Sequence, residues 1–150
     1  LVGFTPEVDY GYIDINKRLR DRHPKLVAQI VEELEGQGSS VEWDKGTGLL
    51  LLNQEILVAI VLSRCTLTAA GSRRWKIRLE QSHRPDITIA ARMDDSNKEI
   101  HDFYLLPSID MSVEKLRLHE ENGVYLDVYR YGDLSMFYEL TERVSLTMAA

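Results

Sequence analysis

The sequence predicts an α+β fold: a mostly antiparallel sheet of about six strands, preceded by one helix and followed by two helices. Apolar residues recur at helical spacing only near the two ends of the chain. Between these ends, short apolar or alternating runs are separated by glycine-rich and polar turns, as in strands joined by hairpins. The length of 150 residues and the apolar content of 44% fit a single domain, residues 1–150, which we expect to belong to a longer protein.

The N-terminal part predicts an arm followed by a helix. Residues 5–16 mix aromatic and acidic side chains without a sustained period, which favours an arm or a short strand. Pro24 suits the first turn of a helix, and Gly36 and Gly38 are expected to end that helix. Its apolar residues follow at helical spacing: Leu26, Val27, Ile30, Val31 and Leu34.

The middle of the chain predicts the strands. A glycine-rich turn at 44–48 is of the length that joins hairpin strands, here 40–43 and 49–52. The run 56–68 predicts a central strand, because it is apolar on both faces as far as Leu62 and alternates beyond it. The remaining strands are predicted at 73–80, 86–93 and 103–106.

The C-terminal part predicts two helices. The first is expected over 113–121, ended by the pair Asn122-Gly123, which suits a left-handed C-terminal cap. A short extended piece at 124–129 follows it. Asp133 is expected to cap the last helix, whose apolar face comprises Leu134, Phe137, Tyr138 and Val144.

The most informative feature is a basic segment in an acidic chain. The net charge is −6, yet residues 64–92 contain seven arginine or lysine residues against two acids. Over 74–80 the basic residues alternate with Trp75, Ile77 and Leu79, so one face of this strand is expected in the core and the other in water. On the strand 86–93 the same period directs Thr88, Ala90 and Arg92 outward. The candidate nucleic-acid-binding residues are Arg64, Arg74, Lys76, Arg78 and Arg92.

A local excess of positive charge can bind an anion, and DNA is the expected partner because arginine makes bidentate contacts to phosphate and guanine. Alternatively, the basic residues form an ordinary solvated face and pair with Glu80, Asp86 or the acidic C-terminal part. Residues 93–150 contain twelve acids against five basic residues. This acidic part favours a second hypothesis, a protein-interaction or oligomerisation module in which the basic face meets an acidic protein partner or another copy of the chain.

Other kinds of site find little support in the sequence, and no metal or cofactor is predicted. Cys65 is the only cysteine, which excludes an internal disulfide and favours a reducing, cytoplasmic location. The four histidines lack the spacing of a metal site, and Asp94 and Asp95 lack the spacing of a calcium loop. Asx-turn chemistry accounts better for that acidic pair. No apolar run approaches the roughly 20 residues that span a bilayer, so no membrane partner is expected.

The order of the predicted strands resembles the sheet core of the PD-(D/E)xK nucleases. These enzymes hold magnesium beside the scissile phosphate with a carboxylate on one strand and an Asp-x-Lys or Glu-x-Lys pair on the next. The pair Pro85-Asp86 matches the start of that motif, but residues 56–62 include neither an acid nor a lysine, and the chain has no Asp/Glu-x-Lys. The resemblance therefore implies a nuclease-like fold with the activity lost; a metal-dependent nuclease requiring Asp86 is the further alternative. The matching segments are 48–52, 56–65, 74–79 and 85–107.

A second resemblance is to an accessory domain of bacterial DNA-processing proteins of the site-specific recombinase type. It rests on residues 60–65, 74–79, 84–88, 92–94 and 102–107. It implies a nucleic-acid context with the chemistry in another domain, since no recombinase serine or tyrosine motif is recognisable. The sequence thus predicts a noncatalytic domain that contacts DNA through a basic sheet face.

Overall fold

The protein is described by a computed structural model over residues 22–79, 85–111, 115–119, 127–137 and 139–141. It is an α+β fold with one mostly antiparallel six-stranded sheet and a second sheet of three strands, which confirms the predicted α+β class and the mostly antiparallel sheet of about six strands. The predicted arm at 5–16 lies outside the described residues. Helix α1 spans Pro24–Gly36. The strands are β1 (Val41–Trp43), β2 (Leu50–Leu52), β3 (Ile56–Ser63), β4 (Thr66–Leu67), β5 (Arg73–Arg78), β6 (Ile87–Met93), β7 (Ile100–Pro107), β8 (Lys115–His119) and β9 (Arg130–Tyr131).

Helix α1 forms as the sequence predicts. Pro24 occupies its first turn, and Val27, Ile30 and Leu34 are buried at spacings of three and four residues. The chain leaves the helix through Gly38, whose φ of 96° suits a glycine. No described helix is long and apolar enough to cross a membrane.

The six-stranded main sheet has the order β1-β2-β3-β6-β7-β9. The predicted hairpin β1–β2 is confirmed, and it continues antiparallel into β3. The pair β3–β6 is parallel, with Val58 opposite Ile87. Parallel neighbours need a crossover connection, and here the chain between them leaves the main sheet to form β4 and β5 of the second sheet. The 3₁₀ turn Ser108–Asp110 follows β7.

One face of the main sheet packs against α1 and the C-terminal segment. Ile60, Ile89 and Leu105 of the sheet share a core cluster with Ile30 of the helix. Residues 137 and 139–141 are helical, which confirms the predicted C-terminal helix over those positions, and Leu134, Phe137 and Leu140 join this cluster. The carboxylate of Asp133 accepts a hydrogen bond from the Ser135 amide at 2.9 Å, in the turn that precedes the helix.

The second sheet, in the order β4-β5-β8, covers the opposite face of the main sheet. Trp75, Ile77 and Leu79 are buried there, which confirms the predicted alternation. Ala90 and Tyr104 of the main sheet lie beneath them. The prediction that Thr88, Ala90 and Arg92 face outward to solvent is wrong, because the second sheet covers that face of β6: these three residues are buried.

The predicted single strand over 56–68 is also wrong. β3 ends at Ser63 and β4 begins at Thr66, so the chain changes sheets at Arg64 and Cys65. The side chain of Asn97 holds this corner: its Oδ1 accepts a hydrogen bond from the Cys65 amide at 2.7 Å, and its Nδ2 donates to the Cys65 carbonyl at 3.3 Å. The break lets the apolar strand β3 end in the main sheet and the exposed strand β4 begin in the second sheet.

The helix predicted over 113–121 is wrong over its described part. Residues 115–119 form β8, antiparallel to β5. The sequence Lys-Leu-Arg-Leu-His alternates with the period of two that a half-buried strand requires. The extended piece predicted at 124–129 is wrong over its described part, since residue 127 is helical and 128–129 form a turn; the strand comes afterwards, at β9.

We expect Asn97→Gly to lower the free energy of unfolding by about 1–2 kcal/mol, because it removes both hydrogen bonds to Cys65. Glycine keeps the backbone free to adopt the φ of 57° found at Asn97. Asn53→Gly is the matched control: its φ is 52°, and its side chain makes an exposed hydrogen bond to the Ser40 amide. Urea unfolding of both variants makes the comparison; equal losses would contradict a special role for Asn97.

Candidate nucleic-acid interface

The basic strand of the sequence is β5, the middle strand of the second sheet. Its buried residues Trp75 and Ile77 are 0% and 1% exposed and face the main sheet. Between them Lys76 is exposed, and Arg74 is half-buried. Arg78 is the last residue of the strand. The core contacts of Trp75 and Ile77 therefore fix which face of β5 carries the basic residues.

The register of β5 against β8 brings further basic residues to the same face. Residues directly opposite in an antiparallel pair share one face of the sheet, with Cβ atoms about 4.5–5.5 Å apart. Successive rows lie about 7 Å apart along the strands, twice the rise per residue. We call β5, β8 and these rows the basic ribbon. The rows are Arg74 with His119, Lys76 with Arg117, and Arg78 with Lys115.

The basic ribbon places like charges opposite one another, an arrangement that destabilises a sheet. Neither Arg74 nor Lys76 forms an ion pair with an acid among the described residues, and the buried Nε of Arg74 has no hydrogen-bond partner among them. The described residues thus leave the charges of Arg74 and Lys76 uncompensated, and a bound anion would compensate them.

Arg92 is not part of this surface, which corrects the expectation that it joins the basic face. It is 2% exposed and binds Asp102 through two hydrogen bonds, Nε to Oδ1 at 2.7 Å and Nη2 to Oδ2 at 2.6 Å. Its guanidinium carbon lies 4.3 Å from the ring centroid of Trp75 and 5.0 Å from that of Tyr104. Burial raises the pKa of Tyr104, and the positive charge of Arg92 opposes that rise. Arg92 is therefore a structural cation between the two sheets.

Arg64 and Arg73 border the basic ribbon. Arg64 is exposed at the corner between β3 and β4. Arg73 Nη1 lies 3.1 Å from Asp95 Oδ1, an ion pair whose acid is 79% exposed and which is therefore worth little. The guanidinium carbon of Arg73 also lies 5.3 Å from the ring centroid of Trp75. Arg64 is thus placed where it can extend the charge of the ribbon toward the corner.

Hydrogen bonds to the backbone fix the ribbon on the main sheet. The indole Nε1 of Trp75 donates to the Met93 carbonyl at 2.9 Å. The Ser63 hydroxyl at the end of β3 donates to the Lys76 carbonyl at 2.7 Å. The Thr66 hydroxyl of β4 donates to the Arg74 carbonyl at 3.0 Å. The basic residues are therefore presented by a strand whose position is set by the main sheet and by its own neighbour β4.

Sequence reasoning missed Lys115, Arg117 and His119. The signal was present, because these residues alternate with Leu116 and Leu118 in the same way as the basic residues of β5 alternate with Trp75 and Ile77. A period of two over five residues is typical of a half-buried strand. The helix-ending pair Asn-Gly at 122–123 favoured the helical interpretation instead.

The carboxylates of Asp86 and of Asp94 in the acidic turn accept hydrogen bonds from backbone amides. Asp86 Oδ2 accepts a hydrogen bond from the Leu57 amide at 2.9 Å, which ties the start of β6 to β3. In the turn after β6, hydrogen bonds from Ser96 and from the backbone amides of Lys98 and Glu99 lower the pKa of Asp94. Among the residues that the structure describes, no group of three or more His, Cys, Asp or Glu could hold a metal ion.

Comparison with known proteins leaves the family open. No protein-family model matches the chain, and no curated protein matches it. Among solved structures, the chain is similar to a bacterial homing endonuclease at 16% sequence identity and a TM-score of 0.49, covering 92% of this chain and 94% of that one. A likeness at this level carries no inference about function, which must be argued from the site itself.

We expect Arg92→Met to lower the free energy of unfolding by about 3–5 kcal/mol, because it leaves the Asp102 carboxylate buried without its cation. The double variant Arg92→Met/Asp102→Leu removes both charges and should recover most of that loss. Urea unfolding of the single and double variants measures the difference. Equal destabilisation in both would show that the pair acts through packing alone.

Proposed function

We propose that this domain is a noncatalytic nucleic-acid-binding module that holds DNA on the basic ribbon. The observation that carries the proposal is the register of β5 against β8, which sets three basic rows on one face of a single sheet. Five of these six residues are arginine or lysine, and arginine in particular binds phosphate and guanine through two parallel hydrogen bonds.

The electrostatics support an anionic partner over a merely solvated face. A solvated face that pairs its charges internally would show acids beside Arg74 and Lys76. Among the described acids, Asp86 binds the Leu57 amide and Asp95 lies against Arg73, and neither pairs with Arg74 or Lys76. Glu80, Glu114 and Glu120, the acids next to β5 and β8 in sequence, lie outside the described residues.

The proposed binding has a characteristic dependence on salt. Each DNA phosphate that a protein neutralises contributes about −0.9 to the slope of log affinity against log salt concentration. A ribbon that neutralises about four or five phosphates should therefore bind with a slope near −4. Association should also be fast at low salt, because a local excess of one charge steers a ligand of opposite charge even when the whole chain is acidic.

We expect Lys76→Ala to weaken binding to a duplex and to reduce the magnitude of the salt slope by about 1. Lys25→Ala is the matched control, since Lys25 is exposed on α1, and α1 packs on the other face of the main sheet. Fluorescence anisotropy with a labelled duplex at several salt concentrations gives both quantities. An unchanged affinity in a variant with Arg74, Lys76 and Arg78 all replaced by alanine would overturn the proposal.

A protein-interaction module is the second candidate, favoured by one observation. Leu67 is 68% exposed on β4, the short outer strand of the second sheet. An exposed apolar side chain on an outer strand suits contact with a protein or with a second copy of the chain. Sedimentation velocity of the domain and of Leu67→Ser tests the self-association form; if both variants are monomeric at every concentration, that form is wrong.

A further inference from the structure

We propose that the basic ribbon enters the major groove of B-form DNA, so that its ligand is a DNA duplex and not a single strand or an RNA duplex. This inference rests on the proposed function and specifies the ligand of the same site. It is carried by three features of the ribbon: the residue types in its rows, its width, and its height above the main sheet.

The residue types in the rows do not suit a single strand. Proteins that bind single strands stack the bases on aromatic side chains. The six row positions include no phenylalanine, tyrosine or tryptophan. Trp75, the tryptophan of β5, is 0% exposed and lies between the sheets against Arg92. His119 is the one aromatic residue of the rows, so the face offers mainly charge and hydrogen-bond donors, which suits paired bases and their backbones better than a series of unpaired bases.

The width of the ribbon matches the major groove. β4 pairs only with Arg73 and Arg74 of β5, so among the described strands β5 pairs with β8 alone from Trp75 to Arg78. The major groove of B-form DNA, about 12 Å wide, admits a two-stranded antiparallel ribbon, whereas the minor groove, about 6 Å wide, does not. The rows of Lys76 and Arg78 belong to this two-stranded part.

The height of the ribbon matches the depth of the groove. Sheets that pack face to face lie about 10 Å apart, and the major groove is about 8.5 Å deep. The rows can therefore approach the base edges before the main sheet meets the phosphates on either side. There arginine can donate to O6 and N7 of guanine. The major groove of A-form RNA is too deep and narrow for protein side chains to read.

The test compares ligands of one sequence, about 20 base pairs or two helical turns long, by anisotropy with the unaltered domain. The ligands are duplex DNA, single-stranded DNA, duplex RNA, and duplex DNA carrying glucosylated hydroxymethylcytosine. Substituents at C5 of a pyrimidine lie in the major groove, so the glucose groups obstruct that groove alone. Netropsin, which fills the minor groove, is added to the plain duplex as the opposite control.

We expect glucosylation, a single strand and duplex RNA each to weaken binding by at least about tenfold, the loss of one or more bidentate base contacts. Netropsin should change the affinity by less than about twofold, because the ribbon is too wide for the groove that it fills. Lys76→Ala is measured on every ligand. If binding to duplex DNA depends on Lys76 but glucosylation leaves it unchanged, the major-groove inference is overturned and the proposed function stands. If no ligand shows salt-sensitive binding that depends on Lys76, both are overturned.

Discussion

The ion pair between Arg92 and Asp102 is the interaction on which the two-layer arrangement depends. It lies where the main sheet meets the second sheet, with the Arg92 guanidinium against the ring of Trp75. A buried cation is tolerated only when its charge is paired and its donors are satisfied, and the two hydrogen bonds to Asp102 meet that requirement. The tryptophan that packs on this pair also donates to the Met93 carbonyl. Because Trp75 is part of β5, the position of the basic ribbon follows from this buried contact.

The basic residues of segment 64–92 therefore lie in two different environments. Arg92 faces the interior and has its own acid on the neighbouring strand, opposite it in register. Arg74 and Lys76 face away from the core and have no acid partner among the described residues. A protein that had simply accumulated basic residues would show no such division. Within the described residues, the buried cation is neutralised and no acid pairs with Arg74 or Lys76.

The features that the sequence predicted correctly are those fixed by neighbouring residues. Helix α1 and the hairpin β1–β2 depend on local spacing and on glycine-rich turns. The alternation in β5 likewise shows which residues share a face. It cannot show what covers the other face of a neighbouring strand, which is why Arg92 was expected at the surface. β8 was predicted to be helical because its five residues are flanked by helix-capping and helix-ending residue types. Its pairing with β5 joins residues some 40 positions apart, which local sequence patterns do not reveal.

The fold does not require basic residues in these rows, because a neutral polar residue could occupy each position. Burial of Trp75 and Ile77 contributes roughly 1.5–3 kcal/mol each, and this burial fixes the register, since a slip of one residue would move the charges into the core. It requires only that the intervening positions be polar. Thr66 of β4, opposite Arg74 in register, is a neutral residue exposed on the same sheet. Threonine at every row would meet the same requirement without setting like charges opposite one another. Folding alone therefore does not require basic residues in these rows, whereas binding of the proposed polyanion would.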